Sequence, residues 1–237
     1  VAPRVFAQGH PRRVAATGYP LGFPALFATV PALGPRGVMS RLPRSLLLVC
    51  LSLLTGCDDL QQARYRTGMQ QLFHRDYRAG AATLASLAEN GHAPSQFRLG
   101  FLYRQGLGVQ RNARLASYWF DKAARGGDVG GQYWLAESYR RGEGLPASPE
   151  LAFEWFQRLA ERGYAPAQYQ VALAYAEGRG VGHDDPAAID WLRRASAGGH
   201  SDAARRLAQA YRSGELGLPR DPRQAAEWES KTRPARF

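Results

Sequence analysis

The chain has 237 residues, 45% of them hydrophobic and 22% charged, which is enough to bury a core in one or two domains and excludes a disordered polymer. Its two cysteines, Cys50 and Cys57, exclude a disulfide framework, a zinc site of several thiolates and dithiol redox chemistry. The net charge of +11 looks like a nucleic-acid signal, but residues 1–56 hold six arginines and no acid, and the remaining 25 basic and 20 acidic residues make a mildly basic surface that predicts no nucleic-acid partner. Only Lys122 and Lys231 are lysines. A GC-rich coding sequence accounts for that preference better than arginine-specific binding.

Residues 1–38 are rich in Pro and Gly, lack acids and show no helical or strand period, so they are expected to be unstructured or to precede the true translation start. The character changes at Met39. Residues 39–56, with Arg41 and Arg44 ahead of an apolar run from Ser45 to Leu54, have the layout of a secretory signal. That run falls short of the roughly 20 residues needed to span a bilayer as a helix, so it targets without anchoring. The segment "LTGC" ending at Cys57 resembles the lipobox of bacterial lipoproteins, and the polar "DDLQQ" follows at once. The resemblance implies a diacylglyceryl group on the Cys57 sulfur and cleavage before it. Asp58 and Asp59 resemble a retention signal of the inner membrane in some bacteria, which leaves inner or outer membrane open. A buried apolar helix carrying an inert thiol is the plain alternative.

Residues 57–91 read as a degenerate helix pair, Leu60–His74 and Asp76–Asn90, of the kind that caps a repeat array. From residue 92 the sequence repeats every 36 residues, in blocks 92–127, 128–163, 164–199 and 200–232, the last with one inserted residue and followed by a short tail. Tyr103, Tyr139, Tyr175 and Tyr211 keep the period, as do Trp119, Trp155 and Trp191, with Trp228 displaced by the insertion. Each block predicts two helices. Gly106, Gly142, Gly178 and Gly214 stop the first, since glycine accepts the left-handed conformation of a helix end. Asn112, Ser148, Asp184 and Asp221 are N-cap types that open the second, and Pro149 and Pro222 follow as first-turn prolines. The stripes Ala116/Trp119/Ala123, Ala152/Trp155/Leu159 and Ala188/Trp191/Ala195 are predicted to close onto the first helices, with Trp155 buried between pairs.

In "AQYQVALAYAEGRGVGHDDPAAIDWLRRASAGG" the aliphatic-small-x-x-Tyr, Gly-x-Gly-Val, Ala-x-x-Trp and terminal Gly positions resemble the Sel1-like repeat family, relatives of tetratricopeptide repeats. The resemblance covers residues 92 to about 230. It implies an all-α fold, a right-handed α-solenoid of helix-turn-helix repeats, that binds proteins or peptides. It further implies an adaptor or scaffold in the bacterial envelope, lipid-anchored and facing the periplasm, or a component of an exopolysaccharide or protein export complex. The cysteine-rich secreted branch of the family, for which a β-lactamase-like hydrolase role stands as a remote alternative, staples every repeat. This chain has no cysteine after Cys57.

No nucleophile stands with a plausible base, no glycine-rich phosphate loop follows a strand, and no strand, cofactor or metal site is predicted. His183, Asp184 and Asp185 are adjacent, but Asn112 and Ser148 hold the same register without metal-binding neighbours, so an interhelix loop ending in an N-cap explains them. Glu143, Glu150, Glu154 and Glu161 read as solvated helix charges. If the register follows the tetratricopeptide pattern, a partner-binding groove is lined by Phe97, Phe101, Arg104 and Gln105, then Tyr133, Glu137, Arg140 and Arg141. Tyr169, Leu173, Ala176 and Glu177 follow in the third block, and Arg205, Gln209 and Arg212 in the fourth. Aromatics beside arginines suit an acidic peptide or an anionic polysaccharide. The competing assignment for Phe97, Tyr133 and Tyr169 is the repeat core.

Overall fold

A computed structural model describes residues 44–232, with side chains from Asp59 onward. Backbone contacts divide the chain after Leu46, and everything below concerns the unit that begins at Leu47. The unstructured segment expected at residues 1–38 and the start of the signal segment lie outside the described residues, as does the Cys57 side chain. The ten described helices, with no strand among them, run as α1 Arg44–Phe73, α2 Tyr77–Glu89, α3 Ala93–Gln105, α4 Ala113–Arg125 and α5 Val129–Arg141. They continue as α6 Pro149–Glu161, α7 Ala165–Glu177, α8 Asp185–Ala197, α9 Ser201–Ser213 and α10 Pro222–Ser230. From α2 onward each helix packs against the next, which is the arrangement of a helical solenoid.

The helices start and stop where side-chain chemistry dictates. Asn112, Ser148 and Asp184 accept from the backbone N–H three residues on, at 3.1, 3.2 and 2.9 Å, and Asp221 does so at 3.1 Å. Each cap residue's own N–H is also tied back to the periodic tyrosine of its repeat, Asn112 to the Tyr103 carbonyl at 2.9 Å and Asp221 to the Tyr211 carbonyl at 2.8 Å. Gly106, Gly142, Gly178 and Gly214 end α3, α5, α7 and α9 in the left-handed conformation, with φ between 65° and 77°. Upstream, α2 lies within the expected Asp76–Asn90 and is capped by Asp76, whereas α1 begins at Arg44 rather than at Leu60; Gly80 and Gly68 admit Leu72 and Leu84 of the facing helix closely.

The core is a chain of small clusters in which alanines on both helices of each pair surround a few larger aliphatic and aromatic side chains. Phe120, Leu135, Ala116 and Ala124 form one, and Phe156, Leu159, Ala136 and Val171 belong to the next. Trp155 packs against both of these, and Trp191 against two successive clusters in the same way. Trp155 is half-buried rather than fully enclosed, because it sits at the seam where two clusters meet and one edge stays open to solvent.

A second repeat-to-repeat clamp was not read from the sequence. Gln96, Gln132 and Gln168 donate from Nε2 to the carbonyls of Ala88, Ala124 and Ala160 at 3.0, 3.3 and 3.2 Å, stitching each first helix to the end of the preceding second helix. The 36-residue spacing of these glutamines is the signal that identifies them. Ala204 holds the place in the last repeat.

Candidate interaction face

The first helices α3, α5, α7 and α9 carry every residue expected in the groove, but those residues divide into three groups. Phe97 and Phe101 pack against the cluster around Phe120, Tyr133 against that around Phe156, and Tyr169 against that around Leu192. Tyr133 lies edge-on to Phe156 at 5.4 Å and to Tyr164 at 5.8 Å. Burial raises its phenol above the ordinary value, and the nearby Glu137 carboxylate raises it further. These aromatics are built into the repeat core, with one edge exposed.

The second group is charged and already paired. Arg104 donates to Glu143 at 3.2 Å and lies over the Trp134 ring, 4.3 Å from its centroid. Glu137 is 4% exposed and accepts from Arg140 and Arg141, each at 2.8 Å. The groove expectation is therefore corrected for Glu137. A buried carboxylate needs partners more than it can spare them for another molecule, and two guanidinium groups fold over it. The hydrogen bond to Glu137 is also what holds the Arg140 guanidinium further above its ordinary range. Arg205 pairs with Asp202, and Arg212 with Glu229 and Gln209. Glu143 stands in the turn after α5, not on a solvated helix face, and collects Arg104 and, at 3.8 Å, Arg141.

The third group is accessible. Gln105 is exposed at the end of α3, and Leu173 and Glu177 meet Arg140 at an open cleft where α5, α6 and α7 come together. Ala152, Phe153 and Phe156 line it from α6, Gln170, Leu173 and Ala174 from α7, and Arg179 stands at its edge. Phe153 and Gln170 were not expected here, since their role depends on what the neighbouring repeats leave unfilled. Apolar lining with a few charged groups at the rim is the composition of a site for a side chain or small ligand.

His183 bonds the Ala176 carbonyl through Nδ1 at 3.0 Å and Asp185 through Nε2 at 3.3 Å, while Asp184 caps α8. Among the described residues no three His, Cys, Asp or Glu side chains gather as a metal site. No described helix is long and apolar enough to cross a membrane.

Sel1 repeat models match residues 93–128, 129–164, 165–200 and 201–228, together more than half of the chain. Each match starts one residue after the corresponding block of the sequence period. The fold is similar to the crystal structure of a Sel1 repeat protein from Oxalobacter formigenes, with a TM-score of 0.64 and 24% identity over 75% of this chain and 72% of that one. It is also similar to c5321, a protective antigen present in uropathogenic Escherichia coli strains that displays an SLR fold, with a TM-score of 0.60 and 34% identity. That match covers 64% of this chain and 32% of the antigen, so this chain spans about a third of its length. No curated protein matches the chain. Periodic caps and stops, the solenoid of helix pairs and the four consecutive model matches lead to one assignment: the chain belongs to the Sel1 repeat family.

Proposed function

We propose that this protein is a lipid-anchored adaptor of the bacterial cell envelope, held to a membrane through Cys57 and binding a protein or peptide partner on the face of its first helices. Sel1 repeats generally mediate protein–protein interaction, and their proteins are typically non-enzymatic scaffolds. The observation that carries the reading is the apolar cleft between α5 and α7, rimmed by the ion-paired side chains Arg140, Glu177 and Arg179. The lipobox-like "LTGC" supports the anchor. Each buried methylene of an acyl chain contributes about 0.8 kcal/mol, so two or three chains on Cys57 hold a protein of this size at a bilayer.

Two measurements test the reading. Metabolic palmitate labelling should mark the wild-type protein and not Cys57→Ala, and a Cys57→Ala protein that still labels removes the anchor. A photo-crosslinking amino acid at Gln105 or Leu173, in intact cells, should give a discrete adduct that the same group at Arg193 or Glu154 on the second helices does not. Equal adducts from both sets, or none from the first, remove the adaptor face.

A further inference from the structure

The outer faces of the second helices repeat in register but not in charge. Along one face α4 carries Arg114, Tyr118, Lys122 and Arg125, and the counterparts 36 residues on, in α6, are Glu150, Glu154, Arg158 and Glu161. With Asp121 included, α4 presents three cations and one acid, and α6 presents three acids and one cation. Arg125 is held by Asp121 at 2.9 Å and Arg158 by Glu154 at 3.9 Å. Arg114 and Lys122 have no acid partner among the described residues, and Glu150 and Glu161 meet only the Ser148 hydroxyl at 3.0 Å and the Gln157 amide at 3.1 Å. On α8 the same positions hold Pro186, Asp190, Arg194 and Ala197, where the acid and the base neutralise each other at 2.7 Å.

The two unbalanced helices also carry apolar surface. Of five large hydrophobic side chains exposed among the described residues, Leu115, Tyr118 and Leu151 stand on α4 and α6. Single exposed apolar residues need no explanation, but a group of them among unmatched charges marks a surface that meets another molecule.

Adjacent faces of opposite charge on one chain complement the same two faces of a second copy. We propose that α4 and α6 form a two-fold dimer interface in which α4 of each copy lies on α6 of the other. The two helices stand one repeat apart and run in the same direction, so an axis parallel to them and midway between them brings equal levels together. Arg114 then meets the other copy's Glu150, Tyr118 its Glu154 and Arg125 its Glu161, and every contact occurs twice. At the remaining level Arg158 is turned onto the Trp155 ring and Glu154, which leaves Lys122 to face the other copy's Glu161 one turn away. An axis at right angles to the helices would set α4 on α4 and α6 on α6, like charge against like, so the charges select the first arrangement. Two helices of 13 residues, about 20 Å long and about 10 Å apart, offer roughly 400 Å² per copy against the roughly 800 Å² of a stable interface, so the dimer is reversible and forms at micromolar or higher concentration. The first helices stay free for a different protein, and either interaction can fail without the other. A crosslinking group at Glu154 yields this chain's own dimer, which mass spectrometry separates from an adduct with another protein at Leu173.

The test uses the full-length lipidated chain in excess detergent, with protein mass followed by sedimentation velocity across the micromolar range. The wild type should pass from monomer to dimer as its concentration rises, and added salt should move that transition to higher concentration. Arg114→Glu with Arg125→Glu makes both faces acidic, and Glu150→Arg with Glu161→Arg makes both basic. All four side chains are exposed, so each protein should melt within a few degrees of the wild type. Each variant alone should stay monomeric at tenfold the concentration that dimerises the wild type. Mixed in equal amounts, the two variants should regain the dimer, because acidic faces then meet basic ones in both halves of the interface. A wild type monomeric throughout, a dimer that persists in either folded variant, or a mixture that stays monomeric overturns the proposal. So does a monomeric wild type that retains phosphatidylglycerol in mixed micelles and loses it with the α4 reversal, a result that assigns the basic helix to an anionic lipid.

Discussion

The turns of this protein and the face of its first helices repeat with the same period but with different strictness. Gly108, Gly144 and Gly180 each have positive φ, and a Cβ at any of them would lie 2.1 Å from a backbone oxygen, of Tyr77, Ala113 and Pro149 respectively. Each contact falls at the start of the preceding pair's second helix, so one hydrogen atom's worth of space sets how closely consecutive pairs approach. On the face, by contrast, the position of Arg104 holds Arg140, Ala176 and Arg212 in turn, and that of Trp134 holds Gln170 and Arg206. Positions that seat backbone on backbone hold glycine in the first three repeats, and the fourth, which places Leu216 there at φ 55°, carries the inserted residue before its second helix. Positions that fill the joints vary, and a joint left unfilled stands open as a cleft.

The sharpest way to break this comparison is to add one methyl group in a turn. Gly144→Ala combines a left-handed backbone at φ 76° with a clash against the Ala113 carbonyl, and we expect it to cost about 3 kcal/mol or more. Gly127→Ala, at φ 82° with nothing within 4 Å of the new Cβ, should cost about 1 kcal/mol from backbone conformation alone. Urea denaturation of the two variants measures the difference. Equal costs would mean that close approach does not set the spacing of the pairs.

Trp155 tests the joints themselves. It bridges two core clusters but keeps an exposed edge, with the Arg158 guanidinium 5.0 Å from its ring centroid. Trp155→Ala should therefore cost about 2 to 3 kcal/mol, below the 3 to 5 typical of a fully enclosed aromatic. A shift in the urea midpoint no larger than that of Glu154→Ala, its exposed neighbour, would show that the clusters are not coupled through this ring.

The backbone was largely legible in the sequence and the site was not, for a physical reason. A cap such as Asn112 or a stop such as Gly106 acts on the backbone within a few residues of itself, so the residue type and its period are sufficient to read it. The tyrosine and tryptophan spacings give the register for the same reason. The condition of a face residue depends on what stands across a joint. Arg104 and Arg140 occupy one register, yet the first finds a ring and a carboxylate 30 and 39 residues later, at Trp134 and Glu143, and the second turns onto Glu137 of its own helix. Glu137 looked like a groove residue because the tetratricopeptide register puts it in line with Phe101 and Leu173. Only the paired arginines show it to be buried.

The smallest expected effect concerns the two histidines that open first helices. His92 is the N-cap of α3, where its Nδ1 accepts the Ser95 N–H at 3.3 Å, and its ring leans on Tyr65 at 5.2 Å. His200 holds the same place before α9 and stacks on Tyr169, with centroids 4.6 Å apart. Burial pushes both imidazoles below the ordinary histidine value of about 6.5. Asp128 offsets part of that shift for His92, while Arg205 adds to it for His200. Below about pH 6.5 the unfolded chain takes up protons that the folded chain does not, so stability should fall as pH drops from there toward the lower folded values. Glu215, whose carboxyl is held low by Ser213 and Arg206, loses its contribution only as pH falls below its ordinary value of about 4.3, so the two effects separate along the pH axis. His92→Asn with His200→Asn keeps a capping side chain on α3, places a capping type before α9, where His200 makes no side-chain cap bond, and removes the titration. Melting temperature followed from pH 7.5 to 5 should decline less steeply in that double variant than in the wild type, with His74→Asn as the exposed control. Parallel declines in all three proteins would show that the N-cap histidines do not govern the acid response, and that the four first-helix starts behave alike whether capped by His, Asp or Tyr.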